Sequence, residues 1–239
     1  MKHAYEILIS FINSGDLQVR KILTDILSLA KAVQPLSPNL SADRWLLAGD
    51  TKQEALLYKV FENAQPTAAA IAVLETKLKE KVDPRMVTIW NGEDGHKGAS
   101  ISFMGRPAPG MSVVTLVGRP ESFSHNWRLV AELLMAGTDI WPARYITVES
   151  NGYFAHKTFK DRPGVGWMLY LPQVLSVCQV PEAGALVPVL GRDKKQIGTI
   201  IVSITDVPFS DDIPEHVKVA NAIEIRLADQ DLLPRYAGR

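Results

Sequence analysis

The order in which predicted strands and helices follow one another restricts the fold of this chain more than any other feature. Short apolar or alternating runs predict strands, and apolar residues spaced three and four apart predict helices. The predicted strands are residues 5–12, 45–48, 86–90, 99–104, 112–117, 144–150, 166–171, 186–190 and 198–205. The predicted helices are residues 16–33, 51–61, 66–81, 124–135 (ending before Gly137) and 214–227. Since strands and helices do not alternate strictly, the sequence predicts an α+β fold with a largely antiparallel, or mixed, sheet flanked by several helices.

Polar residues at the predicted helix starts support these boundaries. Asp16 is the predicted cap of the first helix. Thr51 and Glu54 have the spacing of a capping box, in which each side chain satisfies a free amide at the helix start. Asp211 or Asp212 is the predicted start of the last helix, since a proline follows shortly after both.

The length of 239 residues predicts a single α+β domain covering 1–239. Residues 105–110, Gly-Arg-Pro-Ala-Pro-Gly, form the best candidate for a linker, and they leave a two-lobed organisation as the alternative. Apolar residues make up 46% of the chain and charged residues 22%. This composition is typical of a globular protein with a hydrophobic core.

The charge balance bears on the kind of partner to expect. Twenty-six basic residues offset 26 acidic ones, whereas nucleic-acid binders usually carry a basic excess that neutralises phosphates. We therefore expect no direct nucleic-acid partner. No apolar stretch approaches the roughly 20 residues needed to cross a bilayer, and the first residues lack the pattern of a signal peptide. We expect a cytoplasmic protein without a membrane partner.

Cys178 is the single cysteine of the chain. One cysteine excludes an intramolecular disulfide and agrees with a reducing compartment. It ends the apolar run 174–178, so the expected state is a buried, inert thiol. A catalytic thiol is the alternative, but no polar neighbour in the sequence would lower its pKa.

A glycine-rich connection between two predicted strands carries Glu93, Asp94 and His96. Two carboxylates and an imidazole could serve a metal site or acid/base chemistry. The favoured interpretation is an exposed polar loop, with partner contact more plausible than catalysis. The five histidines show no metal-ligand spacing, and no phosphate-binding glycine motif occurs, so we expect neither a metal nor a cofactor.

The densest acidic stretch lies at the start of the last predicted helix and contains Asp206, Asp211, Asp212 and Glu215. A helix start favours carboxylates through its dipole and open amides, which already accounts for most of them. The alternative is an acidic patch that meets a basic partner surface.

Two further features could serve an interface. Trp141 is the tryptophan expected to be partly exposed, because it follows Asp139 and precedes a proline. An exposed tryptophan suits an interface anchor. Apolar residues at 217–223 on the last helix could pack either into the core or against a second copy in a homodimer.

Several short segments resemble the bacterial immunity protein 52 family. They are residues 46–58 (LLAGDTKQEALLY), 89–92, 99–103, 166–172 (GWMLYLP), 198–203, 209–210, 220–227 and 233–234. The resemblance spans about residues 45–234 and is weakest over the first 40. It implies a protein that neutralises a polymorphic toxin, often a nuclease of restriction-endonuclease fold delivered by type VI secretion. It supplies no catalytic residues to carry over.

Three hypotheses follow for the function. The first, which the resemblance favours, is an immunity protein that inhibits a DNase toxin by stoichiometric binding through residues 91–97, Trp141 and residues 206–215. The second is an enzyme whose site assembles from the distant residues Glu93, His96, His125 and His156. The third is a cytoplasmic adaptor or scaffold.

Overall fold

A nine-stranded antiparallel sheet forms the centre of the fold. The computed structural model of the chain describes residues 4–15, 17–80, 84–106, 109–118 and 126–236. The strands are β1 (Tyr5–Asn13), β2 (Leu46–Leu47), β3 (Phe61–Glu62), β4 (Gln65–Pro66), β5 (Arg85–Trp90), β6 (Ala99–Gly105), β7 (Gly110–Gly118), β8 (Ala143–Ser150), β9 (Met168–Leu171), β10 (Ala185–Leu190) and β11 (Gln196–Val202). Their order in the large sheet is β10-β11-β9-β8-β1-β7-β6-β5-β2, and β3 pairs with β4 separately. The predicted α+β class is confirmed.

Helices of the described residues pack against this sheet. They are α1 (Val19–Val33), α2 (Ala68–Glu80), α3 (Trp127–Ile140), α4 (Tyr153–His156) and α5 (Pro214–Asp229). In α1, apolar residues recur at three- and four-residue spacing, and all of this stripe is buried. The predicted cap Asp16 lies outside the described residues, and Gln18 occupies the N-cap position without a side-chain hydrogen bond.

Over β5, β6, β7 and β1 the core lies on one face of the sheet, which we call the helix-covered face. Strand β9 and most of β11 are buried on both faces. One row of paired residues runs across five strands: Ile89, Ile101, Leu116, Ile7 and Val148. Each of these side chains is 0–2% exposed. Because side chains alternate along a strand, the residues between them point to the opposite face.

Gly137 does not end a helix, so that prediction is wrong. It lies inside α3, where a Cβ atom would come within 3.1 Å of Ile9 Cδ1 and 3.2 Å of Ile146 Cδ1. The glycine is there because α3 crosses β1 and β8 closely. The helix starts at the N-cap Asn126, whose side chain accepts a hydrogen bond from the Arg128 amide.

The predicted helix 51–61 is also wrong. Thr51 Oγ1 accepts from the Glu54 amide at 3.2 Å, as a capping box requires, but only one 3₁₀ turn, Glu54–Leu56, follows. The chain then becomes extended, since the Val60 amide donates to Trp45 O and the Thr67 amide donates to Val60 O. Pairing with neighbouring extended segments outweighs the local start signal.

The start of α5 differs from the prediction. Ile213, not Asp211 or Asp212, is its N-cap, and it makes no side-chain cap hydrogen bond. Along α5, Ala220 and Ile223 are fully buried. Val217 and Val219 pack partly buried against the core, so the apolar residues at 217–223 mainly serve the core of this chain. A homodimer stays a prediction.

The segment 105–110 joins two neighbouring strands. Gly105 ends β6 and Gly110 begins β7, and the two strands pair antiparallel from Ala99↔Gly118 to Met104↔Val113. Residues 107 and 108 lie outside the described residues. The choice between one domain and two lobes stays a prediction. Within the ranges described, no helix is long and apolar enough to cross a membrane.

Cys178 is exposed, so the predicted buried thiol is wrong. Its segment is irregular, with a turn at residues 177–179. Leu175 and Val180 anchor it in the core, while Val174 and Val177 point outward, 61% and 70% exposed. We expect the thiol of the folded protein to react with Ellman's reagent at nearly the rate of the unfolded chain. Cys178→Ser should change the free energy of unfolding by less than about 0.5 kcal/mol. Labelling that requires denaturant would contradict this placement.

Candidate partner-binding surface

On the second face of the sheet, the described residues of four strands, β5, β6, β7 and β1, include a continuous set of exposed or half-buried side chains. We call this surface the open face. Its residues alternate with the buried core residues of the same strands and are Met86, Thr88, Trp90, Ser100, Ser102, Met104, Val113, Thr115, Val117, Glu6 and Leu8. All of them are exposed or half-buried. Along β5, β6 and β7 this alternation is what a sheet with one face on the core and one in solvent requires. In β1 it stops at Ser10, which follows Glu6 and Leu8 on the same side of the strand and is completely buried.

The open face is almost uncharged. Its central row, Thr88, Ser102, Thr115 and Leu8, is in register across four strands. Hydroxyl and apolar groups dominate, and Glu6 is the one charged residue among those that define the face. Met86 and Met104, which pair directly, are 60% and 46% exposed. Methionine adapts its shape to a partner surface, which makes it frequent at binding sites.

An apolar flank lies beside the open face at β5 and consists of Leu56, Leu57 and Tyr58. These consecutive residues are 52%, 65% and 37% exposed. The Trp90 indole on the open face donates a hydrogen bond to Ala55 O at 3.0 Å, which holds this segment next to the face. Three exposed large apolar residues in succession are costly in water unless another surface covers them.

A cavity of about 470 Å³ adjoins the open face at its β1 edge, away from the apolar flank. It lies over β1 and β8 and is bounded by residues 154–157 and Tyr236. Its floor is Glu6 and Leu8 from β1 together with Thr147 and Glu149 from β8. Lys157, Phe154 and Tyr236 are among the residues that form its walls. Since Glu6 and Leu8 belong to both, the cavity and the open face are continuous.

Two carboxylates face each other across the floor of this cavity. Glu6 and Glu149 are direct partners in the antiparallel register of β1 and β8, and such partners have Cβ atoms only about 5 Å apart. Burial raises the pKa of Glu149 to about 7, despite the opposing effect of Lys157, and the neighbouring Glu224 and Glu6 raise it further. Burial also raises the pKa of Glu6. The pair is therefore held in an unfavourable position for two negative charges.

Lys157 is the basic residue of the cavity wall, and its ammonium group already has partners. Nζ donates to Arg162 O at 2.7 Å and to the Tyr236 hydroxyl at 2.9 Å. Burial lowers the pKa of Lys157, although Glu149 and Glu224 act in the opposite direction. Lys157 thus compensates the two carboxylates only in part.

The loop residues predicted to contact a partner lie at the tip of the β5–β6 hairpin. Asp94 and His96 are exposed and Glu93 is half-buried. Glu93 forms a salt bridge with Arg44, and Asp94 forms one with Lys52. These pairs hold the hairpin tip against the preceding part of the chain.

Asn91 is 1% exposed and connects the two ends of the hairpin tip through hydrogen bonds. Its amide group donates to Asn39 O at 3.1 Å and to Lys97 O at 2.9 Å, and its Oδ1 accepts from the Ala99 amide at 2.9 Å. The tip is therefore a fixed surface element of the hairpin.

The acidic stretch at the start of α5 divides into exposed and buried members. Asp206, Asp212 and Glu215 are exposed, whereas Asp211 is 9% exposed. A Cβ atom at Gly152 would lie 1.9 Å from Asp211 Oδ2, so this carboxylate is packed against the turn that precedes α4. Three of the four residues therefore lie on the surface.

The strand register places both predicted contact segments at the same end of the sheet. Ser150 of β8 pairs with Tyr5, Tyr5 pairs with Gly118, and Gly118 pairs with Ala99, the first residue after the hairpin tip. Strand β11 also ends at this level. Five strand spacings separate β6 from β11, about 24 Å, so one partner could touch both segments and the sheet between them.

Trp141 is buried, and the expectation that it is partly exposed is wrong. It is 4% exposed, and its ring stacks on Phe11 with centroids 5.7 Å apart. It precedes β8 and therefore lies at the end of the sheet opposite the hairpin tip. Its role as a partner contact stays a prediction that this burial does not favour.

The residues of the enzyme hypothesis are spread over the fold. Glu93 and His96 lie at the hairpin tip, and His156 ends α4 after β8, about three strand spacings or 14 Å away across the sheet. Acid/base partners need hydrogen-bond reach. His125 lies outside the described residues. In the part of the chain that is described, no three His, Cys, Asp or Glu side chains are placed to hold a metal ion.

A type VI secretion system protein of Pseudomonas aeruginosa, PA0821, has the same overall fold, with a TM-score of 0.54 and 11% identity over 93% of this chain and 76% of that chain. The sequence model of immunity protein 52 matches residues 21–235. The chain therefore belongs to the immunity protein 52 family, and the resemblance found in the sequence is confirmed. No curated protein matches the chain.

The open face and the Glu6–Glu149 pair were not among the residues proposed from the sequence. The alternating pattern of β5, β6 and β7 carried part of the signal, because every second residue of a one-sided sheet must face outward. No sequence pattern indicated the carboxylate pair, because Glu6 and Glu149 become neighbours only through the pairing of β1 with β8.

Proposed function

We propose that this chain neutralises a cognate toxin by stoichiometric binding in the cytoplasm of the cell that makes the toxin. The observation that carries the proposal is the family match over residues 21–235. The fold shared with a type VI secretion system protein supports a toxin delivered by that system or by another polymorphic toxin system. The proposed toxin is a DNase of restriction-endonuclease fold.

The charges of the described surface support a basic partner. A nuclease needs basic residues along its nucleic-acid groove, and the end of the sheet with the hairpin tip presents Asp94, Asp206, Asp212 and Glu215 as exposed carboxylates. Opposite charges across an interface accelerate association and fix orientation. The proposed binding surface includes this acidic end together with Glu93 and His96.

A growth assay tests the proposal. The toxin domain encoded beside the gene of this chain would be expressed in a bacterial host with and without this protein. We expect growth to be restored only when both are present, and the two proteins to co-purify. Continued killing with no complex would refute the pairing and favour the enzyme or adaptor hypothesis.

Charge reversal tests the acidic end. We expect Asp206→Lys, Asp212→Lys and Glu215→Lys together to weaken toxin binding by about 10-fold or more, since rim charges act mainly on association. Asp211 is left unchanged because it is buried. The matched control is Glu75→Lys, Glu132→Lys and Asp139→Lys, which changes the net charge equally at exposed positions of α2 and α3. Equal affinities of the two triple variants, measured by calorimetry, would remove the acidic end from the interface.

A further inference from the structure

We infer that the open face is the surface on which the toxin docks, and that the adjoining cavity receives an arginine or lysine side chain of the toxin. This inference rests on the proposed function and adds the surface and the chemistry of the contact. It commits to one occupant, a folded protein with a projecting basic residue.

The composition of the open face fits such an occupant. Its central positions are Thr88, Ser102 and Thr115, short hydroxyl side chains that are in register across three strands. Met86 and Met104 extend it at one end. Interfaces combine an apolar centre depleted of charge with a polar rim. The open face supplies a centre of hydroxyl and apolar groups that is depleted of charge, and the polar hairpin tip, with its ion pairs, supplies part of the rim.

The exposed apolar flank favours a partner protein that buries it. Leu56, Leu57 and Tyr58 continue the surface beyond β5. Across β5, β6, β7, β1 and β8 the surface measures about 20 Å, the scale of the central part of a standard interface that buries about 800 Å² per partner. A single protein can therefore cover the flank, the open face and the cavity at once.

The cavity gives the docking a charge preference. Glu6 and Glu149 stand opposite each other on its floor, and like charges in that arrangement destabilise a sheet. A guanidinium or ammonium group between them would relieve the repulsion and form charge-assisted hydrogen bonds. The volume of about 470 Å³ accommodates a long side chain.

A second copy of this chain is the competing occupant, and the same charges disfavour it. A twofold contact places the same patch on both subunits, so two Glu6–Glu149 pairs would approach each other. The open face of a second copy has no basic residue among its defining positions to offer in return. Charge complementarity therefore favours a basic toxin over a homodimer.

The first variant tests the open face. Ser102→Arg places a long cation at the centre of the face, at a position whose side chain contacts only the Thr88 hydroxyl at 3.1 Å among the hydrogen bonds of the described residues. We expect its affinity for the purified toxin domain to fall about 100-fold. The matched control is Ser28→Arg at an exposed position of α1, which should bind within about 2-fold of the original chain.

The second variant tests the cavity. Glu6→Gln with Glu149→Gln removes the two charges and keeps the size of both side chains. We expect affinity to fall about 10- to 100-fold, while the resistance of the protein to unfolding at pH 8 rises. A more stable protein that binds more weakly cannot owe its loss to misfolding.

The pH dependence gives a third readout. Glu149 must be ionised to pair with a toxin cation, so affinity should increase from pH 6 to pH 8, and Glu149→Gln should flatten that increase. The groups that bear on Glu149 are Glu6, Lys157, Glu224, the Gly164 amide and the hydroxyls of Tyr145, Tyr153 and Tyr236. Of these, Glu6 is the group removed together with Glu149 in the double variant.

Calorimetry of the full chain with the toxin domain separates the outcomes. No binding by the original chain would refute the proposed function itself. Tight binding that neither Ser102→Arg nor the double variant weakens would overturn the docking inference and leave the function intact. Loss with Ser102→Arg alone would overturn the cavity contact. A dimer of the original chain that Ser102→Arg dissociates, with toxin affinity unchanged, would assign the open face to a second copy and also overturn the inference.

Discussion

Glu224→Ala is expected to lower the free energy of unfolding by about 4 kcal/mol. Glu224 is completely buried on α5. Its Oε1 accepts hydrogen bonds from the Tyr153 hydroxyl at 2.7 Å and the Val165 amide at 3.1 Å, and its Oε2 accepts from the Thr158 amide at 2.9 Å. Alanine would leave all three donors without this partner inside the protein, and an unsatisfied buried donor costs about 1–3 kcal/mol.

Urea unfolding would measure this effect. Lys218→Ala, at an exposed position of the same helix, is the control and should change the free energy of unfolding by less than about 0.5 kcal/mol. Glu224→Gln keeps one oxygen acceptor and should fall between the two. If Glu224→Ala costs no more than Lys218→Ala, the carboxylate does not tie α5 to the segment from Tyr153 to Val165.

Glu149→Gln is expected to stabilise the protein by about 3 kcal/mol at pH 8 and by much less at pH 5. The pKa of Glu149 is raised from 4.5 to about 7, so the folded state holds the proton more tightly than the unfolded chain. Stability is therefore lost as pH rises from about 4.5 to about 7 and stays reduced above that. Each tenfold difference in acid dissociation is worth about 1.4 kcal/mol, which gives the expected size.

Thermal and urea unfolding at pH 5 and pH 8 would test this second effect. Glu132→Gln, at an exposed position of α3, provides the control and should shift stability equally little at both values. Glu6 also has a raised pKa, so some pH dependence should remain in Glu149→Gln. A variant that gains no more stability at pH 8 than at pH 5 would show that Glu149 ionises without cost.

Much of the sheet could be predicted because its strands carry their own signal. In β5, β6 and β7, buried residues that face the core alternate with exposed or half-buried residues on the other face, and a period of two is typical of a half-buried strand. The stripe of α1 has an equally clear period. Both patterns depend only on neighbours in sequence.

The errors arose where distant contacts decide the structure. The capping signal at Thr51 is present, but the extended pairing of Val60 with Trp45 stops the helix after one turn. Trp141 is buried because Phe11, far away in sequence, stacks on it. Cys178 is exposed because it lies in a turn on the surface. These long-range contacts cannot be predicted from a single sequence.

The residues of the candidate site also divide into those that local sequence could predict and those that long-range contacts determine. The exposed Asp206, Asp212 and Glu215 could be proposed from local composition, since charged residues collect at helix starts. Asp211, in the same stretch, is buried by a turn about 60 residues earlier in the chain. The open face and its carboxylate pair require the strand order β8-β1-β7-β6-β5, which follows from long-range pairing and could not be derived from periodicity.

Titration of toxin activity tests most directly the claim that this chain acts by binding. The toxin domain encoded beside its gene would be held at a fixed concentration, and DNA cleavage would be measured while this protein is added. The account predicts that cleavage falls linearly and ends at one chain per toxin. Full inhibition at far less than one chain per toxin would indicate an enzyme, and undiminished cleavage with excess protein would contradict the immunity function.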